Sequence, residues 1–309
     1  MTSAGTSTSD SFFNWREAKA QHIARVDALT RDHLARRSRG QRHPVWDFIF
    51  EYYPVKPGQL RRWSPGIGVD LPGATAKDIS HLKFFTLDAD EAPDGSATGE
   101  PTDTDSGTAR MDVAAYVDKR GTTVAYIGNL LRATRANPAH FDCFGLHEWA
   151  MVYHQPEHRH PEPLRLGQAG TDEVVEAHTV RCTHFDAFRF FTPDAVPLNE
   201  FAPTRKTQPH CEQVGCLHAN MDLYKWATKL GEAVPGDLWL DTFELACSAR
   251  ELDMRAAPYD LRDWGFTPIR IETPEGKAEY VRRQRGLSAR ADVLRGRLLE
   301  VVDVALSTQ

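Results

Sequence analysis

The sequence contains no apolar run approaching the ~20 residues that a membrane span requires. Its N-terminus, MTSAGTSTSDSFFNW, lacks both a basic start and an apolar core of the signal-peptide type. Cysteine is scarce and odd in number: Cys143, Cys182, Cys211, Cys216 and Cys247 are the five thiols. That count does not suit a disulfide framework and points instead to buried thiols or metal ligands. No period of ~20–50 residues recurs, so nothing suggests a solenoid. The expectation is a cytoplasmic protein with no membrane partner.

Bases are missing from one stretch. Between Leu87 and Arg110 lie Asp88, Asp90, Glu91, Asp94, Glu100, Asp103 and Asp105, seven acids without a Lys or Arg. The net charge of −6 comes from this segment, because the rest of the chain carries +1. The segment is also rich in Gly, Ser, Thr and Pro and nearly empty of large apolar residues. It cannot bury enough surface to offset its ordering entropy, so residues 88–108 are expected to form a disordered insertion.

What remains is ordinary globular material: 309 residues, 41% apolar and 26% charged, enough for one large core or two modest ones. Residues 1–10 read as a disordered polar tail. From Phe12 to about Ser38, Trp15, Ile23, Val26, Leu29 and Leu34 recur at near-helical spacing. HPVWDFIFEYY packs five aromatics into eleven residues, reads as a short buried helix and stops at Pro54 and Pro57. A Pro/Gly loop follows through Gly73. Met111 to Arg135, FGLHEWAMVYH, DAFRFF, MDLYKWATKL and DLWLDTFELACSARELDMRA are further helices. The last helix begins at Thr273 as N-cap, with Pro274 at its first position and Glu275 behind it. Residues 174–183 and PIRIET alternate enough to suggest short strands. The fold class is therefore all-α or mainly α: a single multi-helix domain over 11–309, with at most a few short strands.

Two segments begin C-x-H and carry an acid further on: Cys182-Thr183-His184-Phe185-Asp186 and Cys216-Leu217-His218 through Asp222. If both are extended, alternate side chains share a face. Cys182, His184, Cys216 and His218 would then converge as a Cys₂His₂ site for zinc or another divalent metal. The competing reading makes them buried small hydrophobes and satisfied histidines.

A second cluster is acid–base in character. His147, Glu148 and His154 are placed on one helix, with the two histidines two turns apart on the same face. Asp186, Asp222, Lys225, Asp253, Arg255 and Asp260 complete the group. Charges at this density among aromatics must pair with one another or with a ligand. Trp46, Phe48, Tyr52, Tyr53, Trp63, Tyr224, Trp226 and Tyr259 are mostly core, or else include the walls of a stacking pocket. Arg282, Arg283, Arg285, Arg290, Arg295 and Arg297 on the last helix, with Arg61 and Arg62, form either a solvated face or a phosphate-tracking surface.

Taken together, HPVWDFIFEYYPVKPGQLRRW, FGLHEWAMVYH, RCTHFDAFRFFTP, GCLHANMDLYKWA and LDMRAAPYDL resemble an actinobacterial family usually labelled 3-methyladenine DNA glycosylase. The resemblance covers nearly the whole chain apart from the tail and the acidic insertion. It implies a DNA repair hydrolase of the base-excision type, cleaving the N-glycosidic bond of alkylated purines, with DNA as partner and no cofactor. The Gly-rich helix-hairpin-helix turn of one glycosylase superfamily is missing, and the resemblance supplies no catalytic residue. Such chemistry needs a pocket for the extruded base, an aromatic wall for a cationic purine, and a carboxylate acting at C1′.

Asp222 is the first choice for that carboxylate. It stands at an expected helix start, after His218 and before Lys225, beside Tyr224 and Trp226. Asp186 and Glu148 rank behind it. His147, His184, Arg189, His218, Asn220, Tyr224, Lys225, Arg255 and Tyr259 are the expected substrate contacts. Two other classes compete: a metal-dependent enzyme acting on a small molecule through the His/Cys/Asp cluster, and a non-catalytic binding protein with an ion-paired core. The glycosylase needs a basic groove beside the pocket. The metalloenzyme needs its ligands gathered together, and the binding protein needs every carboxylate paired.

Overall fold

A computed structural model describes residues 13–89, 106–155, 157, 158 and 160–307. In chain order its elements are α1 (Trp15–Ser38), α2 (Asp47–Tyr52), α3 (Pro57–Leu60), β1 (Leu71–Thr75), α4 (Ala76–Ile79), β2 (Phe85–Ala89), β3 (Ser106–Met111) and α5 (Val113–Ala136). There follow α6 (Leu146–Ala150), α7 (Gly167–Glu176), α8 (Phe185–Phe188), α9 (Gln208–Cys211), α10 (Leu217–Leu230), α11 (Gly236–Ala256) and α12 (Pro274–Leu306). The protein is mainly α, with one small antiparallel sheet in the order β1-β3-β2.

Local chemistry explains the long helices. Asn14, Asp112 and Thr273 each cap a helix by accepting a backbone N–H of its first turn, ahead of α1, α5 and α12 respectively. Pro274 occupies the first turn of α12, where a missing N–H costs nothing. α10 lies against α11 and α12, and α12 also packs on α5.

Helix α10 separates two apolar clusters and contributes to both. Leu223, Trp226 and Leu230 face the sheet, α5 and α12. Leu217, Met221 and Tyr224 face α2, α6, α7 and α11. A polar residue on α10 is therefore held between two cores, and that position is what builds the site described below.

Several expectations change. Residues 174–183 are not a strand: α7 runs to Glu176, and only Val180 forms an isolated bridge, to Asn199. PIRIET is not a strand among the described residues: it leads into α12 with Ile269 and Ile271 buried and Arg270 exposed. The Pro/Gly loop after Tyr53 contains α3 and β1. Asp88 and residues 106–108 of the acidic segment belong to β2 and β3, paired Asp88↔Thr108 and Ala89↔Gly107. Residues 90–105 and the tail at 1–10 lie outside the described residues. No helix among the described residues is long and apolar enough to cross a membrane.

Candidate active site

The site begins with a short helix in an unusual setting. Phe144 and Gly145 both adopt left-handed backbone conformations (φ 49° and 76°) immediately before α6. At Gly145 a side chain would be strained by φ and would press on Ala256, 3.3 Å away. This tight entry seats α6 against the end of α11, where Trp149 donates its indole N–H to the Ala256 carbonyl at 2.9 Å. α6 then points His147 and Glu148 inward, 3% and 5% exposed. The helix ends at Ala150, so His154 does not share its face; it sits half exposed beside Asp194.

Glu148, Asp186, His218 and Tyr259 line one pocket of about 380 Å³. Its walls include Phe48, Tyr52, Phe190 and Trp264. Five carboxylates line it, those of Asp47, Glu51, Glu148, Glu162 and Asp186, against two guanidiniums, Arg42 and Arg250. The lining is thus aromatic and acid-rich. Glu162 is buried, and among the described residues its Oε2 has no hydrogen-bond partner. A buried carboxylate oxygen left in that state requires a partner from elsewhere.

Beneath the pocket lie two linked charge networks. In the first, His147 Nε2 donates to Asp253 Oδ1 at 2.8 Å, and Arg250 reaches Asp253 at 3.5 Å and Glu148 at 3.3 Å. Arg250 is 1% exposed and stacks over Phe48, 4.1 Å from the ring centre. Burial disfavours the charged His147, but the Asp253 carboxylate and the Cys143 sulfur outweigh it and raise its pKa well above the usual value. His218 follows the opposite course: burial and then the charge on His147 lower it to about 3. Its ring meets His147 edge-on at 4.6 Å and stacks on His184 at 5.4 Å.

In the second network Lys225 Nζ lies 2.9 Å from Asp222 and 3.0 Å from Asp186. Arg205 and Arg189 also contact Asp186, at 2.8 and 3.4 Å. Tyr53 donates its hydroxyl to Asp222 at 3.1 Å. His184 Nε2 is 3.3 Å from Glu212 and 3.5 Å from Asp222, contacts of charge without hydrogen-bond alignment. Burial works against ionisation of both aspartates. His184 and Lys225 outweigh it at Asp222, and Lys225 and Arg205 outweigh it at Asp186, so both carboxyls are held below the ordinary range.

The remaining residues singled out from sequence divide clearly. Asn220 is structural: its amide donates to the Val214 carbonyl and its oxygen accepts from buried Arg295, tying α10 to α12. Tyr224 is core, packed between Tyr53 and Phe243. Arg255 donates to the Thr267 carbonyl and pairs with Glu251, away from the pocket. Asp222 lies in the second turn of α10 rather than at its start, because the helix begins at Leu217. It is 1% exposed and sits behind Asp186 rather than in the pocket lining.

Cys182 and Cys216 line a separate cavity of about 20 Å³ with Cys143, His147 and His218, whereas His184 does not line it. The Cys182-Thr183-His184 segment has no regular secondary structure, with His184 itself extended, whereas Cys216-Leu217-His218 crosses into α10. Burial raises the Cys182 thiol well above its usual value and takes Cys216 to about 12. Among the described residues, the donor group compact enough for one ion is His147, His218 and Asp253.

The Arg-rich face of α12 is largely occupied within the protein. Arg295 is buried, Arg297 pairs with Asp237 and Asp241, Arg290 with Glu244, and Arg283 with Glu279. Arg250, Glu162, Phe190 and Trp264 were not anticipated as site residues. An Arg–Asp pair three residues apart on an otherwise apolar helix face was the one available signal for Arg250.

Comparison with protein-family models, curated proteins and solved structures yields no significant match.

Proposed function

We propose that the 380 Å³ pocket is an active site for a cationic, purine-sized heteroaromatic group, and that the enzyme hydrolyses the N-glycosidic bond of alkylated purines. The observation that carries this reading is the lining: aromatic walls, Glu148 within them, and a buried Glu162 oxygen without a hydrogen-bond partner among the described residues. Alkylation at a ring nitrogen makes a purine positively charged. Aromatic faces then favour it over the neutral base. The volume lies in the range of small-molecule sites, about 300–1,000 Å³.

Glu148 is the reacting carboxylate in this reading. It lines the pocket, and among the described residues one cation, Arg250, engages it at 3.3 Å. Asp186 also lines the pocket but is clamped by Lys225, Arg205 and Arg189. Asp222, the first choice from sequence, takes a supporting place by holding Lys225 against Asp186. Glu148 would activate water or stabilise positive charge developing at C1′, and Arg250 would hold it in place. The departing neutral base leaves with the electron pair of the broken bond.

The internal pairing of α12 does not favour a long duplex-tracking surface. A base or nucleoside, or a single nucleotide extruded from a strand, suits the pocket better. Purified protein incubated with methylated DNA and, separately, with methylated purine nucleosides distinguishes these substrates by chromatography of the released base. Release of methylated but not unmodified base from either substrate supports the reading. Absence of release from both removes it.

A further inference from the structure

We propose that His147, His218 and Asp253 form a binding site for one divalent first-row transition ion, zinc or iron in chemical type, with His218 the member that lines the pocket. The three donors come from three helices, α6, α10 and α11, and their ligand atoms all lie within 4.8 Å of one another. Asp253 Oδ1 is 2.8 Å from His147 Nε2, where a bound ion would displace the proton they share, and Asp253 Oδ2 is 3.9 Å from His218 Nε2.

Ion pairing accounts for the first distance but not the second. At 3.9 Å, His218 is beyond hydrogen-bond reach of Asp253, although its side chain is only 12% exposed. Two donors on one ion with bonds of about 2.0–2.2 Å can stand up to about 4 Å apart, so the separation suits a shared ion. Two imidazoles with one carboxylate select zinc or iron over calcium and magnesium, which take oxygen donors.

The surroundings are those of a supported ligand set. His147 Nδ1 lies 3.6 Å from Cys143 Sγ, Arg250 reaches Asp253 at 3.5 Å, and His184 stacks on His218. His218 lines both the 380 Å³ pocket and the small cysteine-lined cavity, so a bound ion is in reach of an occupant of the pocket. The site differs from a thiolate centre at Cys182 and Cys216. It does not depend on base release: an ion bound without that activity leaves the inference standing.

The test uses the full chain stripped with a chelator, dialysed and titrated with Zn²⁺ by calorimetry. One Zn²⁺ per chain is expected. His147→Ala, His218→Ala and Asp253→Asn should each weaken binding beyond the about 10–100-fold typical of outer-shell losses, with Cys143→Ser inside that range. Cys182→Ser should leave the affinity unchanged. Co²⁺ added to the stripped wild type gives a readout that needs no variant to fold: visible d–d bands without thiolate charge-transfer absorption. Failure of wild type to bind Zn²⁺, a thiolate band with Co²⁺, or loss of binding in Cys182→Ser with retention in Asp253→Asn would each overturn the site.

Discussion

His147 and Asp253 stand 106 positions apart in the chain, yet their side chains meet at 2.8 Å with the carboxylate wholly buried. Arg250 adds a second cation to the same carboxylate. Removing one partner of such a group leaves the others charged and unsolvated. Asp253→Ala should therefore destabilise the fold by about 3–5 kcal/mol, the usual cost of breaking a buried pair. Urea unfolding followed by circular dichroism measures this, with Glu251→Ala on the exposed side of α11 as a near-neutral control. A loss below about 1 kcal/mol for Asp253→Ala would show that the network is solvated.

The Lys225 bridge makes a pH prediction. Asp186 and Asp222 have folded pKa values below the ordinary carboxylate value, so their contribution is present above about pH 4 and is lost as pH falls through the depressed values. Lys225 is raised, because its two aspartates outweigh the effect of burial. Its contribution is complete below about pH 10.4 and is lost only above that, as pH rises through the folded value. Without Lys225, Asp222 keeps His184 and Asp186 keeps Arg205 and Arg189, so Lys225→Met should move both carboxyls back towards the ordinary value and make the loss of stability below about pH 4 shallower. Thermal unfolding across pH 3–9 reads this directly; parallel profiles for wild type and variant would contradict it.

Much of the helical framework could be read from local signals. Thr273-Pro274 marked the start of α12, and the stretch from Gly236 to Ala256 carried its periodicity openly. The errors have physical causes. Starting the helix at MDLYKWATKL put Asp222 at a helix end, when α10 begins at Leu217 and contributes to two cores. β1 is LPGAT and β3 is SGTARM, strands made by pairing rather than propensity. The site was partly legible: Glu148, Asp186 and His218 do share a pocket. Arg250 was not, because in SARELDMR it looks like one surface charge among several, and only the packing of α11 against α2 and α10 buries it.

Trp264 lines the pocket with 41% of its surface exposed, 5.0 Å from His43. A stacked cation at such a partly open site gains about 0.5–2 kcal/mol from an aromatic face. Trp264→Leu should weaken binding of a methylated, cationic purine roughly 2–30-fold and leave neutral adenine nearly unaffected. Fluorescence or calorimetric titration with both ligands makes the comparison. Equal losses for the two would argue that Trp264 contributes apolar area alone.

Strands β2 and β3 pair from Phe85↔Met111 to Ala89↔Gly107, on either side of residues 90–105. The acid-rich composition of that segment gives it little to bury. Replacing it with a short Gly/Ser linker should change the melting temperature by no more than about 2–4 °C, the equivalent of roughly 1 kcal/mol in a chain of this size. A fall well beyond that would show that the segment packs on the domain.

The most direct test of the account is single-turnover release of base from a methylated purine substrate by wild type and Glu148→Gln, with ligand binding measured alongside. Gln keeps the size of the side chain and a hydrogen-bonding oxygen towards Arg250 while removing the charge. Release by wild type is expected, with a loss of about 10²–10⁴-fold in Glu148→Gln and binding that persists. Release at the wild-type rate from Glu148→Gln would contradict this.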